Sequence, residues 1–445
     1  MKVPKIVMVN CWSDSNKGDS AIIEGTINIL YKVFPSAYIS LLSMFTEKDP
    51  RFKTAFRHLR GKFPEVKFAG SPMDFSSYIT KKRNSFFCIA VLIRIEKVFR
   101  KAGQIMYSLL FLLFLKLKRT SPPNYSIGII KEADFVLSTG GHYFASPGRN
   151  ILDIVKGLMG IYVHCYPLII ANENKVPFVI CGQSVGPFDS ILSRWFIKYC
   201  FKRASYIWVR ENLSKNELLR CGIPEKKIQV VPDAAFALKP HCTERVKEVL
   251  QRKGLSSEKF IAVSVRQWDC PYYKNYIDEV AKTIDYIITE MGIKVAVIVQ
   301  TMGPTNIEND LISSRQLISS IRQKEQVVLV DEDFSPSELA CFYGKSLILI
   351  GTRFHSVILS FLEGVPSVAI SYFGPKSHGI MKMFDMERYT LDLRSISSEK
   401  LIPLVEELIF NRKKVSDHIS KKVLESRKQL YNIFLDLKSF HKKVV

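Results

Sequence analysis

The sequence predicts an α/β protein with two domains, each built from a parallel sheet and crossover helices. One reason is length, because 445 residues exceed what a single hydrophobic core usually supports. A second is rhythm, since short runs rich in β-branched residues alternate with segments of helical period along most of the chain. A third is a polar, proline-containing stretch after Phe236, beyond which the alternation starts again.

The predicted strands are short apolar runs, most of them followed by a loop and an amphipathic stretch. In the first half they are KIVMVN, YISLLSMF, ADFVLS, PFVICGQS, SYIWVR and IQVVPD. In the second half they are KFIAVSVR, KVAVIVQ, QVVLVDED, SLILIG and PSVAISY. The predicted domains are 1–240 and 255–395, followed by a charged helical tail, 396–445, expected to pack back on the first domain. Ser335, Pro336 and Glu338 predict a capped helix start.

Composition indicates a cytoplasmic protein with real hydrophobic cores. Apolar residues make up 47% of the chain, and KIVMVN near the N-terminus has the pattern of a strand rather than of a secretory signal. The nine cysteines form no C-x-x-C pair, and Cys181 and Cys341 lie within apolar runs where a small buried thiol packs well. This cysteine usage suits a reducing compartment.

The formal charge of +22 indicates a polyanionic partner. The most unusual basic segment of the chain is 81–119. Its two apolar runs, FFCIAVLI and IMYSLLFLLFL, are flanked by ten Lys or Arg and a single Glu. Neither run is long enough to span a bilayer. The segment predicts either an element that binds an anionic membrane surface or a buried helical hairpin with solvated basic ends. A nucleic-acid partner is not favoured, because aliphatic bulk replaces a basic stripe with interleaved aromatics.

Three loops of the first half place glycines and small polar residues at the ends of predicted strands. They contain Gly18 and Asp19, then Gly140 and Gly141, then Gln183, Ser184 and Gly186. Helix capping and tight turns are alternative explanations for each loop. Three such loops at one edge of a parallel sheet are typical of a binding crevice.

Two segments of the second half carry groups suited to an anion. Arg266 ends the run KFIAVSVR, and Arg353 and His355 lie at a strand-to-helix turn. The planar fork of arginine binds phosphate or carboxylate, and a helix start adds free N–H groups. A salt bridge is the alternative for each arginine, and a packed histidine is the alternative for His355.

At these positions the sequence resembles the polysaccharide pyruvyl transferase family, in motifs that follow in order from Asn10 to Lys376. The resemblance is carried by Gly18-Asp19, Gly140-Gly141, GQSVGPF, VRE with Leu213 and Ser214, VPD, Arg266, RFH, EGVPSVAISY and Lys376. His142 departs from the pattern where a third glycine is common, and Ala234 stands where a proline often follows the aspartate. The resemblance implies two Rossmann-like domains similar to B-type glycosyltransferases, with phosphoenolpyruvate in the cleft between them.

The resemblance also implies the chemistry of the site. A pyruvyl group would pass from phosphoenolpyruvate to hydroxyls of a sugar, free or lipid-linked, in a surface polysaccharide. Predicted roles are Arg266 and Arg353 as anchors of the donor and His355 as the acid, with Ser356 and Lys376 also on the donor side. The acceptor would contact Gly18, Asp19, Gly140, Gly141, Gln183, Ser184 and Gly186. No metal and no cofactor are expected, because no cluster in the sequence has ligand spacing.

Two other functions fit the same residues. A two-domain cleft with basic side chains serves the diphosphate of a nucleotide sugar equally well, which makes a glycosyltransferase the closest alternative. A noncatalytic, membrane-associated partner of a glycan assembly complex is the second, with the charge and segment 81–119 as its working parts.

Overall fold

The computed structural model of the protein describes residues 3–73, 125–148, 150–256, 259–305, 308–372 and 376–444. Segment 81–119, with its two alternative predictions, lies outside the described residues. Within the described part, strands and helices alternate over two parallel sheets, as the sequence predicts.

The first sheet contains the strands before residue 231. They are β1 (Lys5–Cys11), β2 (Tyr38–Ser43), β3 (Lys67–Ala69), β4 (Phe135–Ser138), β5 (Gly141–Ser146), β6 (Phe178–Phe188), β7 (Tyr206–Val209) and β8 (Ile228–Val230). Among the described residues their order is β3-β2-β1-β4-β6-β7-β8, with β5 paired to β6 beside that row. The pairs are parallel, so the carboxyl ends of neighbouring strands meet at one edge.

Helices cover both faces of this sheet. They are α1 (Lys17–Val33), α2 (Arg57–Lys62), α3 (Tyr125–Lys131), α4 (Ile151–Glu173), α5 (Ile191–Phe201) and α6 (Asn212–Arg220). Strands β1, β4 and β6 are buried on both faces, which explains their continuous apolar sequences. In α4 the stretch Asp153–Glu173 is apolar and long enough to cross a membrane, and 44% of its most apolar window is buried within the protein.

The second sheet has the order β11-β10-β9-β12-β13-β14 among the described residues. Its strands are β9 (Phe260–Ser264), β10 (Lys294–Ile298), β11 (Val327–Val330), β12 (Leu349–Gly351), β13 (Ser367–Ser371) and β14 (Thr390–Asp392). The helices of this half are α7 (Glu244–Arg252), α8 (Tyr273–Met291), α9 (Asp310–Ser320), α10 (Pro336–Gly344), α11 (Phe354–Phe361), α12 (Lys376–Met383) and α13 (Ser398–Phe410).

The last helix, α14 (Arg412–Val444), returns to the first sheet's domain and packs on α1. The rings of Trp208 and Phe434 lie 5.2 Å apart. Arg427 donates hydrogen bonds to the carbonyl oxygens of Phe236 and Leu238, at 2.9 and 3.0 Å. These contacts tie the end of the chain to the connection between the two sheets.

The structure confirms the predicted strands and adds three. Strands β3 and β14 have only three residues each, too few for a visible alternation of apolar and polar side chains. Strand β5 begins at Gly141, inside the predicted loop of Gly140 and Gly141, residues 138–144. That interpretation is wrong from Gly141 onward, because the segment pairs with β6 instead of turning away from it. The capping box of Ser335 and Glu338 is confirmed at the start of α10.

One cysteine differs from its prediction. Cys341 is joined to Cys242 in a disulfide, with the two Cα atoms 5.4 Å apart and 99 residues between them in sequence. Cys181 is a buried free thiol as predicted. The sequence could not show the pair, because the fold brings together a residue of the interdomain connection and one of α10.

Candidate active site

The starts of two helices, one from each domain, meet in the cleft. Asn16 caps α1 by accepting a hydrogen bond from the backbone N–H of Gly18 at 3.1 Å. A Cβ atom built on Gly18 would lie 2.4 Å from Nδ1 of His355, which is in the first turn of α11. The absence of a side chain at position 18 therefore allows His355 to lie against the start of α1. Two residues that the sequence predicts for the site, 337 positions apart, are in contact.

His355 also faces a buried carboxylate of the first domain. Its Nε2 lies 3.6 Å from Oδ2 of Asp233, in a turn just after β8. The other oxygen of Asp233 accepts a hydrogen bond from the backbone N–H of Ala235 at 2.9 Å. Arg210, just after β7, donates to Oδ2 of Asp233 at 2.5 Å. Asp233 is therefore held in place from two sides while one edge of it faces the histidine.

The charge of Asp233 is fixed by this arrangement. Burial alone would raise the pKa of the Asp233 carboxyl, but Arg210 and His355 outweigh burial and hold that pKa well below its ordinary value. Asp233 is therefore ionised at neutral pH. Neither Arg210 nor Asp233 is a predicted site residue, although each lies just after a strand at the carboxyl edge of the sheet. That position is the signal that could have found them.

Arg210 connects this carboxylate to two residues predicted for the acceptor side. It donates to the hydroxyl of Ser184 from Nε and Nη2, at 3.1 and 2.6 Å. It also donates to the carbonyl of Gly141 at 3.0 Å. Ser184 in turn donates to a carboxylate oxygen of Glu211 at 3.1 Å. The structure thus brings Gly141 and Ser184 beside the His355 and Asp233 pair through one buried guanidinium.

The other predicted acceptor residues of this edge make contacts within the first domain. The amide nitrogen of Gln183 donates to the carbonyl of Thr139 and to the hydroxyl of Tyr143, and its side chain is fully buried. A Cβ on Gly140 would come within 2.9 Å of the Gly182 carbonyl. These two residues shape the loops, and their contact with an acceptor remains a prediction.

Gly186 and Asp19 complete the acceptor side. Gly186 has φ of +85°, a conformation that other residues rarely adopt, and a Cβ there would lie 2.7 Å from Glu217. Asp19 belongs to the first turn of α1. Burial and then the charge of Asp19 raise the pKa of Glu308, a residue of the second domain. The charge of Asp19 is therefore felt by a carboxyl of the second domain.

On the donor side Arg266 has the features of an anion ligand. Its guanidinium lies beside the contacting rings of Trp268 and Tyr372, 4.8 and 4.3 Å from their centroids, and donates to the Tyr372 hydroxyl. Its buried Nε has no hydrogen-bond partner among the described residues. Burial lowers the pKa of Arg266, yet arginine remains charged at neutral pH. A half-buried cation whose buried Nε donor lacks a partner favours an anionic ligand.

Arg353 is already paired. Its Nε lies 3.0 and 2.9 Å from the two oxygens of Asp310, and its Nη2 lies 2.5 Å from Oδ1. Nη2 also donates to the carbonyl of Glu308 at 3.2 Å. This buried ion pair is the salt bridge that is the alternative explanation for Arg353. Binding of a donor by Arg353 stays a prediction.

Ser356 and Lys376 are the last two residues predicted for the donor side. Ser356 is buried and donates to the carbonyl of Arg353 at 2.5 Å, which stabilises the first turn of α11. Lys376 begins α12, and its side chain lies outside the described residues. Among those residues no group of three or more His, Cys, Asp or Glu is arranged to hold a metal.

A second set of contacts fastens the two domains beside the cleft. Lys17, which is 1% exposed, pairs with Asp333 of the second domain, and His58 Nε2 lies 3.0 Å from the same carboxylate. The backbone N–H of Met302 donates to the carbonyl of Ser15 at 3.0 Å. Ser15 and Lys17, just before Gly18, are thus bonded to the second domain, which holds Gly18 against His355.

The fold is similar to that of solved structures of one architecture. A structure of Alr3699/HepE from Anabaena in complex with UDP-glucose aligns with 98% of this chain and 97% of its own, at 12% identity and a TM-score of 0.54. UGT73P12 from Glycyrrhiza uralensis, complexed with glycyrrhetinic acid 3-O-monoglucuronide, aligns with 100% of this chain and 96% of its own, at 11% identity and a TM-score of 0.59. The fold is therefore the B-type glycosyltransferase architecture, two Rossmann-like domains around a cleft.

Sequence comparison is more specific. Residues 16–374 match the polysaccharide pyruvyl transferase family. The chain is also 25% identical over 438 residues to the amylovoran biosynthesis protein AmsJ of Erwinia amylovora, covering 95% of this chain and 96% of that protein. The protein belongs to the polysaccharide pyruvyl transferase family, and it is a transferase with a B-type fold.

Proposed function

We propose that the protein transfers a pyruvyl group from phosphoenolpyruvate to two hydroxyls of one sugar in a cell-surface polysaccharide or its lipid-linked precursor, forming a cyclic ketal. The observation that carries this proposal is the position of His355. It stands at the start of α11, in contact with Gly18 and 3.6 Å from ionised Asp233, in a chain of the pyruvyl transferase family. In this proposal the reaction takes place in the cytoplasm.

The donor needs fixed positive charge, because phosphoenolpyruvate carries a phosphate and a carboxylate. Arg266 supplies one anchor, since its buried Nε has no partner among the described residues. The N-terminal turn of α11 supplies backbone N–H groups and the positive end of a helix dipole. Arg353 and Ser356 hold this turn through Asp310 and through the Arg353 carbonyl. We assign them to the donor side through that support, with Lys376 on the neighbouring helix.

His355 is the proposed general acid. It delivers a proton to the methylene carbon of phosphoenolpyruvate, which turns C2 into an oxocarbenium-like centre. One sugar hydroxyl forms a bond to C2, and a second forms another as the bond from C2 to the phosphate oxygen breaks. The two hydroxyls lose one proton each. One of these protons returns to His355, which gave its own to the carbon that becomes the methyl group, and the other leaves on phosphate. Asp233 orients the imidazole by facing its Nε2.

The acceptor sugar is proposed to lie against the first domain. Gly141 and Ser184 are held beside the histidine by Arg210. Asp19, whose charge reaches across the cleft, is the candidate base for the attacking hydroxyl. Gly18, Gly140, Gln183 and Gly186 give the surrounding loops their shape. None of these steps uses a metal or a cofactor.

The test uses polysaccharide from which pyruvyl groups have been removed by mild acid, with phosphate release and acceptor mass as readouts. His355→Ala should lose turnover by about 100-fold or more, the range expected for a general acid, while the protein still binds phosphoenolpyruvate. His418→Ala is the matched control, because that histidine lies on α14 against Phe384. Unchanged turnover in His355→Ala contradicts the assignment. A mass increase of the acceptor only with nucleotide sugars contradicts pyruvyl transfer itself.

A further inference from the structure

Helix α5 has an outer face whose side chains are exposed although several are large and apolar. Ile191 is 75% exposed, Leu192 and Trp195 are each 59% exposed, and Tyr199 is 40% exposed. Their spacing of one, four and eight residues from Ile191 places them along one side of the helix. The opposite side carries Phe196, Ile197 and Cys200, among others, and is buried.

The apolar residues of this face form a continuous stripe. The rings of Trp195 and Tyr199 are stacked, with centroids 5.8 Å apart. Two other highly exposed apolar side chains, Phe410 and Leu424, lie on different helices, α13 and α14. Isolated cases are ordinary on a protein surface, whereas a grouped set marks an interaction site.

Positive charge follows the apolar stripe toward the C-terminal end of α5. Lys198, Lys202 and Arg203 are exposed there, and the Arg203 guanidinium lies 4.0 Å from the Tyr199 ring centroid. Residues 190–210 contain no Asp or Glu. We define the α5 outer face as Ile191, Leu192, Trp195, Lys198, Tyr199, Lys202 and Arg203.

This order of side chains matches a membrane interface. Aliphatic groups enter the acyl boundary, tryptophan and tyrosine lie at headgroup depth, and lysine and arginine meet anionic headgroups. A second copy of the chain fits less well. A two-fold contact through this face would bring lysine and arginine side chains of the two copies close together, and residues 190–210 offer no carboxylate to pair with them.

The position of α5 relates this face to the acceptor side. Two residues separate the helix from β6, the strand that carries Gln183, Ser184 and Gly186. Ser190 caps it by accepting from the Ser193 backbone N–H at 3.0 Å, and Asp189 accepts from the Gly148 N–H at 2.9 Å. The helix start is thus tied to the segment that follows β5, the strand that begins at Gly141.

We propose that the α5 outer face docks the protein on an anionic membrane surface. Docked this way, the acceptor side of the first domain lies next to the bilayer, where a lipid-linked acceptor would be presented. The presentation of a lipid-linked acceptor rests on the proposed function, whereas membrane docking does not.

The test measures binding to vesicles without donor or acceptor. Full-length protein is sedimented with vesicles of phosphatidylglycerol and phosphatidylethanolamine, and with vesicles of phosphatidylcholine alone. We expect binding to the anionic vesicles, and a loss of at least about tenfold in the double variants Ile191→Ser with Trp195→Ser and Lys198→Glu with Lys202→Glu.

The controls repeat the same changes on other exposed positions. Phe410→Ser with Leu424→Ser matches the apolar change, and Lys413→Glu with Lys414→Glu matches the charge change. Both controls should bind within about twofold of the unaltered protein, since each replaces exposed side chains away from α5. Fluorescence quenching by brominated lipids should be strong in the unaltered protein and much weaker in Trp195→Phe.

Three outcomes overturn the proposal: no binding of the unaltered protein to anionic vesicles, binding by the α5 variants equal to that of the controls, or light scattering that shows a dimer dissolved by the α5 variants. Each variant's melting temperature should stay within about 2 °C of the unaltered protein, because the altered side chains are exposed. Since no substrate is present, failure of pyruvyl transfer leaves this result unaffected.

Discussion

Replacing Gly18 with alanine is expected to displace the proposed acid without unfolding the protein. The new Cβ would lie 2.4 Å from Nδ1 and 2.6 Å from Cγ of His355. Ordinary contacts between such atoms are about 3.5 Å, so the imidazole must move by about 1 Å. A misplacement of that size at a reacting group costs about 100-fold in rate. In the helix itself alanine is favoured over glycine by about 0.5–1 kcal/mol, which offsets part of the strain.

The assay is phosphate release from phosphoenolpyruvate with depyruvylated polysaccharide as acceptor, together with thermal unfolding. Gly128→Ala is the matched control, because Gly128 is also in a helix and a Cβ there meets no atom within 4 Å. We expect Gly18→Ala to lower kcat about 100-fold with a melting temperature close to the control. A kcat within threefold of the unaltered enzyme would refute the reasoning that the Gly18 contact positions His355.

Three further outcomes are expected, two from buried charges and one from the absence of a metal in the proposed reaction. Asp233→Asn should lower the free energy of unfolding by about 3–5 kcal/mol in urea titrations, because it leaves buried Arg210 unpaired. The control Asp392→Asn alters a more exposed ion pair and should cost under about 1 kcal/mol. Equal losses in the two variants would contradict a structural role for the buried pair. Burial raises the pKa of Asp14 to about 6, so its carboxyl binds a proton more readily in the folded state, and the stability it adds is present at low pH and lost as pH rises from about 4 to 6. The difference in the free energy of unfolding between Asp14→Asn and the unaltered protein should therefore change with pH in this range, by at most about 1.4 kcal/mol per pH unit. A difference that stays constant with pH would contradict the raised pKa of Asp14. Turnover should persist after dialysis against EDTA, and its loss followed by recovery with a divalent metal would refute a metal-free reaction.

The strands of both sheets could be predicted from sequence because strands buried on both faces are continuous apolar runs. The run KIVMVN and the observed β1 show this, as do KFIAVSVR and β9. The capping box at Ser335 was visible because its residues are local. Strand β5 was missed because its glycine start is also typical of a turn, and only pairing with β6 decides between them.

The site could be predicted only in part. Gly18 and His355 were both singled out, but that they touch depends on how the two domains meet. Arg210 and Asp233 were in recognisable motifs, yet their buried pairing is a tertiary contact that no spacing reveals. The same is true of Asp310, which occupies the guanidinium of Arg353 from a helix 43 residues earlier in the chain.

The most direct test of the central claim is stabilisation by the donor. The melting temperature is measured with phosphoenolpyruvate, pyruvate, phosphate and nucleotide sugars, for the unaltered protein, Arg266→Ala and the exposed control Arg394→Ala. Ligand at about 100 times its Kd adds about 2.7 kcal/mol of stability. We expect a shift specific to phosphoenolpyruvate that is lost in Arg266→Ala and retained in Arg394→Ala. A shift with nucleotide sugars alone would contradict pyruvyl transfer and indicate glycosyl transfer instead.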